Sequence, residues 1–336
     1  MFQRPQHLAL ALARQGALVL YLQSRFSLFE RQFRKLAERT YLCNLPPAAC
    51  ADIPSPTVYC LSWNSEYIQS FKSPRILYDY IDEIAVFDGE RQQIAQGHAQ
   101  LLEKADIITV TATRLYKQIQ SLRPDAILCP NAVDYPHFAR ARSREQIPPP
   151  NDLAPILATG KPIVGYYGAL ARWLDYELLT QVANLKPDYF FVLIGPDHDG
   201  TLHGQPLFQL SNVRWLGTKT YEALPDYLHY WDIAIIPFIL NEITHATSPL
   251  KLFEYMASGK PVVITPMQES MSYPNVLVGA TPQEFAHQLD QAMLLRSNKE
   301  YLGVIDLVAR ENTWDVRAAQ LMQALSASRT QSQTPK

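Results

Sequence analysis

The sequence predicts an α/β protein of two doubly wound, Rossmann-like domains facing a cleft, on three observations. Short apolar or β-branched runs alternate with longer helical patterns along the chain. The runs fall into two sets, 17–22, 57–61, 75–80, 107–111 and 126–130, then 162–167, 189–194, 213–216, 232–237 and 261–265. Between the sets lies Ile147-Pro148-Pro149-Pro150-Asn151, which reads as a proline-rich linker. Most runs are too apolar for half-exposed strands and suit parallel strands covered on both faces. In such open sheets ligands bind at the carboxyl ends of the strands.

The 336 residues suffice for two domains of ordinary size. The expected division is a first domain over 1–146, a second over 147–312, a helix over 313–326 that packs back on the first, and a disordered tail over 327–336. A helical pattern from Leu8 to Arg14 opens the chain, where a doubly wound domain ordinarily opens with a strand. The first strand of the first domain is therefore expected to be missing.

Apolar residues make up 47% of the chain, enough for a substantial core, and charged residues only 18%, with a formal net charge of −2. That balance argues against a nucleic-acid partner. Cys43, Cys50, Cys60 and Cys129 have no metal-ligand spacing and read as reduced, structural thiols, which fits a cytoplasmic protein. No segment reads as a signal peptide or a membrane span. Arg25, Arg31, Arg34, Lys35 and Arg39 offer a face for peripheral contact with anionic lipid or a pyrophosphate-linked acceptor. A solvated helix face is the alternative.

Residues 247–265 carry most of the functional signal. They read as a short helix, capped by Ser248 with Pro249 at its first position and ended by Gly259, feeding a buried strand. Free N–H groups at the helix start, hydroxyls at Thr247 and Ser248 and the cation of Lys251 suit a phosphate. Glu254, one turn on, can accept hydrogen bonds from two sugar hydroxyls. Phosphate beside a diol describes a nucleotide. An ordinary amphipathic helix with Leu250, Phe253 and Ala257 inward is compatible with the same pattern.

Five stretches carry a family resemblance: Phe2-Gln3-Arg4-Pro5-Gln6-His7-Leu8-Ala9, Asp79-Tyr80-Ile81-Asp82-Glu83, Pro130-Asn131-Ala132-Val133-Asp134, Gly165-Tyr166-Tyr167-Gly168-Ala169-Leu170, and Pro249 to Tyr255 with Gly259 to Val263. On these the chain resembles GT-B fold glycosyltransferases of family 4 and the glycosyltransferase family 1 type. It is similar to the subgroup, teichuronic-acid-type enzymes included, that makes bacterial surface polysaccharides. The resemblance implies that the second domain binds a nucleoside-diphosphate sugar without a metal or other cofactor. Gly168, Arg172, Gly195, Leu216, Gly217, Thr247, Ser248, Lys251 and Glu254 would form the donor site. It further implies an acceptor side in the first domain, with Asp82 and then Asp79 as candidate catalytic acids, and Arg4 and His7 near acceptor or phosphate. Asn131 and Asp134 read as a structural turn.

One departure stands out. The family's first donor-motif glutamate would fall at position 246, which is Ala246. His245 and Glu242 are the nearest polar substitutes. The leading expectation is retaining transfer of a sugar to a hydroxyl of a polysaccharide or lipid-linked saccharide at the inner face of the membrane. A nucleotide-sugar epimerase of similar architecture and a degenerate nucleotide-binding scaffold are the alternatives. No phosphate-loop motif or nucleophile elbow is present. His198 and His203 beside Asp197 and Asp199 read as a surface loop rather than a metal site, and Trp173 as a candidate cleft residue.

Overall fold

A computed structural model describes residues 3–22, 32–84, 91–143 and 147–332. The chain divides into two compact units. The first comprises Phe2–Asn131, Ala246–Ser248 and Trp314–Lys336, and the second Ala132–His245 and Pro249–Thr313.

The first unit opens with α1 (Arg4–Arg14), which has Pro5 in its first turn and the Gln6 side chain reaching back to the Gln3 N–H. Its apolar face buries Leu8 and Ala11. Two sheets follow. Strands β1 (Val19–Leu22), β2 (Phe33–Ala37) and β3 (Thr40–Cys43) form a three-stranded sheet in the order β1-β3-β2, with β2 antiparallel to β3. Strands β4 (Thr57–Cys60), β5 (Arg75–Tyr80), β6 (Ile107–Val110) and β7 (Ile127–Leu128) form a parallel sheet in chain order. Helices α2 (Arg91–Lys104) and α3 (Thr113–Ile119) connect its later strands.

The expectation of a purely parallel first domain is thus corrected by the β2–β3 hairpin. Arg34 and Lys35 lie on strand β2, not on a helix, and with Arg39 they are exposed. Arg25 and Arg31 fall outside the described residues.

The second unit contains α4 (Tyr135–Ala139), α5 (Ala154–Leu157), β8 (Ile163–Tyr167), α6 (Tyr176–Leu185), β9 (Phe190–Ile194), β10 (Val213–Trp215), α7 (Leu224–Tyr230), β11 (Ile233–Ile236), α8 (Glu242–His245), α9 (Leu250–Ala257), β12 (Val262–Ile264), α10 (Gln268–Met271), β13 (Leu277–Val278), α11 (Pro282–Leu295) and α12 (Lys299–Glu311). Its six strands are all parallel, in the order β10-β9-β8-β11-β12-β13. Numbered within the unit this is 3-2-1-4-5-6, the doubly wound order whose direction reverses between β8 and β11. Strands β8, β9, β11 and β12 are buried at every residue, as continuous apolar runs require when helices cover both faces.

The break between the units differs from the expected one at 146/147. It falls at Asn131/Ala132, because α4 and the residues after it pack with the second unit. Phe138 is fully buried there, its carbonyl accepts from the Ser258 hydroxyl, and Arg142 donates to the Met256 carbonyl. The proline-rich segment lies inside this unit, with the Tyr230 hydroxyl donating to the Ile147 carbonyl. The last helix, α13 (Trp314–Ser332), returns to the first unit, where Trp314 stacks on His7 at 5.0 Å and 7°. It runs past the expected end at 326, since no glycine or proline interrupts 315–332. No described helix is long and apolar enough to cross a membrane.

Candidate functional site

In the second unit the site residues gather where the strand order reverses. Gly168 follows β8 and Gly195 follows β9, both with strongly positive φ, 143° and 144°. Gly168 donates to the Ile194 carbonyl, and Gly195 to the Gly217 carbonyl. The turns after β8, β9 and β10 are therefore tied into one backbone ledge. A Cβ on Gly168 would lie 2.2 Å from Lys251 Cε and 2.8 Å from its Nζ. The lysine head thus occupies the space a side chain at 168 would fill.

Lys251 Nζ lies 5.7 Å from the centre of the Tyr166 ring and 5.8 Å from that of Phe238, at the ends of β8 and β11. Among the described residues it has no hydrogen bond or ion pair. Burial pushes its pKa below the ordinary lysine range, and the Glu254 carboxylate opposes that shift. A half-buried ammonium held by rings and facing a backbone ledge is suited to an incoming anion.

Glu254 is 2% exposed. Its Oε2 accepts from the Tyr167 hydroxyl at 2.5 Å. Among the described residues Oε1 has no partner. Burial pushes the Glu254 pKa above the usual carboxylate range, while Tyr167 and then Lys251 hold it down and Asp134 adds to the rise. The site therefore holds one carboxylate oxygen fixed and one uncommitted.

Leu216 donates to the Leu193 carbonyl, and Gly217 accepts from Gly195. The Leu216 carbonyl and the Gly217 N–H have no intrachain partner among the described residues. Arg172 is exposed, and its N–H donates to Asp199 Oδ2 at 3.0 Å. Thr201 also donates to Asp199 Oδ1, through its N–H at 3.2 Å and its hydroxyl at 2.7 Å.

The tip of α9 differs from its sequence reading. The helix starts at Leu250 with Pro249 as its cap residue and no side-chain cap. Ser248 belongs instead to the first unit, where the Asn131 side-chain amide donates to its carbonyl at 2.6 Å. Thr247 belongs to the same segment. Ala246 is 3% exposed and forms part of the apolar core that includes Tyr80, Val110 and Ala112. Asn131, read from sequence as a turn residue, is thus what anchors 246–248. His245 ends α8 with its Nδ1 buried and without a hydrogen bond.

In the first unit, Arg4 and Asp79 form a buried two-point ion pair, Nε to Oδ2 at 2.6 Å and Nη2 to Oδ1 at 2.9 Å. Asp79 also accepts from Thr109 at 2.7 Å and from the Tyr59 hydroxyl. Arg4 donates as well to the Pro130 carbonyl and to Asn131. Both residues are spent on each other and on the fold. His7 is buried at 3% exposure under Trp314. Arg4, His7 and Asp79 therefore organise the unit's core, where the sequence reading also allowed contact with ligand. Asp82 differs: it is half-buried and has no hydrogen bond or ion pair among the described residues. Burial and the nearby Asp79 push its pKa up to about 6, against the pull of Arg4.

Comparison with known proteins agrees with this geometry. Two parallel-sheet units of this kind are the GT-B architecture. The chain aligns with sucrose-phosphate synthase from Thermosynechococcus elongatus at a TM-score of 0.69 and 17% identity, covering 96% of this chain and 92% of that one. It aligns with HepE from Anabaena in complex with UDP-glucose at 0.59 and 14% identity, covering 80% and 78%. Residues 161–294 match the family described as Glycosyl transferases group 1. Over 242 residues the chain is 28% identical to the "Putative teichuronic acid biosynthesis glycosyltransferase TuaH" of Bacillus subtilis, an alignment covering 69% of this chain and 59% of that protein's length. Residues 161–294 thus carry a match to the group 1 glycosyl transferases, and the chain has the GT-B fold of the solved structures it resembles.

Proposed function

We propose that this protein transfers a sugar, with retention of configuration, from a uridine-diphosphate sugar to a hydroxyl of a growing polysaccharide or lipid-linked saccharide. The observation that carries the reading is the pairing at the β8/β11 reversal of an uncommitted ammonium, Lys251, with a carboxylate that has one uncommitted oxygen, Glu254. In this reading Lys251 and Arg172 meet the diphosphate, Glu254 Oε1 accepts from the ribose hydroxyls, and the Leu216 carbonyl and Gly217 N–H read the base. The acceptor oxygen bonds to the anomeric carbon, the bond from that carbon to the diphosphate breaks, and the nucleoside diphosphate leaves with the charge. The two cations stabilise that charge in the role a metal would otherwise fill, so activity survives EDTA. Asp82 orients the acceptor hydroxyl or takes its proton.

HepE binds UDP-glucose and TuaH is named for teichuronic acid biosynthesis; these support uridine as the base and a surface polysaccharide as the acceptor. Strand β2, with Phe33 and Leu36 exposed beside Arg34, Lys35 and Arg39, is the face offered to an anionic membrane that carries a lipid-linked acceptor.

Calorimetric titration with UDP and GDP tests the donor site. UDP binds, and Lys251→Met weakens it by roughly 10-fold or more, the range of a charge-assisted contact. Failure of both nucleotides and of their sugars to bind rejects the reading. The burial of Ala246 in an apolar core favours a second reading, in which the protein binds the donor without transferring its sugar. UDP release from UDP-glucose in the presence of a membrane extract separates the two.

A further inference from the structure

We propose that Tyr167 is a positioning residue that holds Glu254 in the one rotamer able to discriminate a ribonucleotide from a deoxynucleotide. The inference rests on the donor site described above and adds a residue to it. Tyr167 ends β8 immediately before Gly168, and its buried ring is packed on three sides. Phe138 lies parallel to it at 6.2 Å and 3°, Tyr255 meets it edge-on at 5.0 Å and 81°, and Trp231 closes a third side at 6.1 Å. The backbone below the ring is fixed as well, since the Tyr167 N–H donates to the Tyr255 hydroxyl at 3.0 Å.

The phenol is therefore aimed by packing, and what it is aimed at is Glu254 Oε2, 2.5 Å away. A carboxylate side chain on a helix has three soft torsions, and two hydroxyls of a ribose can be read only if one of its oxygens is held still. The Tyr167 hydroxyl satisfies Oε2 inside the protein, leaving Oε1 as the acceptor for the ligand. A donor on Oε2 also favours the charged form of the carboxyl, so the contact widens the pH range over which Glu254 can accept two hydrogen bonds. The other ionisable groups around Glu254 are Lys251 on its own helix, Asp134 at the start of α4, Tyr221 and Tyr255. None of them donates to the carboxylate among the described residues.

The test compares UDP with 2′,3′-dideoxyuridine diphosphate as ligands, in the wild type, in Tyr167→Phe and in Tyr255→Phe. The phenylalanine at 167 keeps the ring packing and removes only the donor. The wild type prefers UDP; in Tyr167→Phe that preference falls roughly 10-fold, the worth of one hydrogen bond to a charged group. The pH below which UDP binding weakens moves upward, because the hydrogen bond that favoured the ionised carboxyl is gone. Tyr255→Phe removes the hydroxyl that receives the Tyr167 N–H but leaves the Tyr167 phenol its ring packing and its contact to Glu254, so it changes both readouts by less than Tyr167→Phe does. An unchanged UDP preference and pH profile in Tyr167→Phe overturns the inference, as do equal changes in both variants or a wild type indifferent to the ribose hydroxyls. Failure of the wild type to bind UDP at all rejects instead the donor site on which the inference rests.

Discussion

Gly195 lies against the carbonyl of Gly168 with no room for a side chain: a Cβ at 195 would stand 1.8 Å from that oxygen. The obstacle is backbone, which cannot swing aside, and the φ of 144° is one that L side chains rarely adopt. Gly195→Ala should therefore cost about 3 kcal/mol or more, from backbone strain and overpacking together. Gly168→Ala meets mainly the flexible end of Lys251. It should cost less stability for the same φ strain but displace the ammonium. Urea unfolding and UDP titration of the two variants should thus rank them in opposite orders, Gly195→Ala worse in stability per unit of binding lost and Gly168→Ala the reverse.

Arg4 and Asp79 give a prediction of a different kind. Both are buried, and among the described residues each is hydrogen-bonded to the other and to the Tyr59, Thr109, Pro130 and Asn131 groups around them. Asp79→Ala leaves a buried guanidinium without its counter-charge and should destabilise the protein by about 3–5 kcal/mol. Replacing both, as Arg4→Met with Asp79→Leu, should recover much of that loss, since apolar isosteres of a buried pair are often neutral. Chemical denaturation of the single and double variants measures it. Recovery in the double variant identifies the pair as structural; none would mean that one partner has a role of its own.

That pair also shows where reading the sequence stops. Each of the ten apolar runs contains a strand, because covered parallel strands must be continuously apolar and that pattern is local. Strand β2 is different: Phe33, Arg34, Lys35 and Leu36 are all exposed, so no burial imposed a pattern on it. Strand β13 is two residues long and leaves no periodicity to detect. Gly168 and Gly195, singled out in the sequence through the family resemblance, both follow a strand at a positive φ that favours glycine. Tyr167 was not singled out, although it adjoins Gly168, because a tyrosine in an apolar run reads as core. Arg4 and Asp79 are 75 residues apart, and nothing local announces that they meet. The unit boundary was misplaced for a similar reason: proline content marks a stiff segment, whereas the actual break depends on which core takes Phe138.

Ala246 tests whether the departure from the family motif can be reversed. Its side chain lies in the apolar core of the first unit, and Asn131 holds the neighbouring Ser248 in place. Glutamate at this position would bring a carboxyl into that core without a partner. Ala246→Glu should lose on the order of 3 kcal/mol of stability and gain no turnover. Thermal unfolding and UDP release from UDP-glucose check the two halves. A variant that folds as well as the wild type and turns over faster would show that the 246–248 segment rearranges to present the new carboxylate.

Asp82 carries the last prediction, one in which stability and activity move oppositely. Its pKa is raised to about 6 by burial and by Asp79, above the ordinary aspartate value of 3.8. For a carboxyl with a raised folded-state pKa, the charged form is the disfavoured one in the fold. The cost is therefore fully present above pH 6 and disappears as the pH falls through 6 toward 4. Asp82→Asn, which cannot ionise, should be more stable than the wild type by about 1–3 kcal/mol at pH 7.5, a rough figure from the linkage relation, and nearly equal to it at pH 4. If the ionised carboxylate serves the acceptor, wild-type transfer should rise with pH through about 6, the value to which burial raises this group. The asparagine variant should lose that limb along with most of its rate. Urea midpoints at the two pH values and a pH–rate profile with a saturating donor measure both sides. A variant that gains stability and keeps its rate would leave Asp82 as a buried acid with no part in transfer.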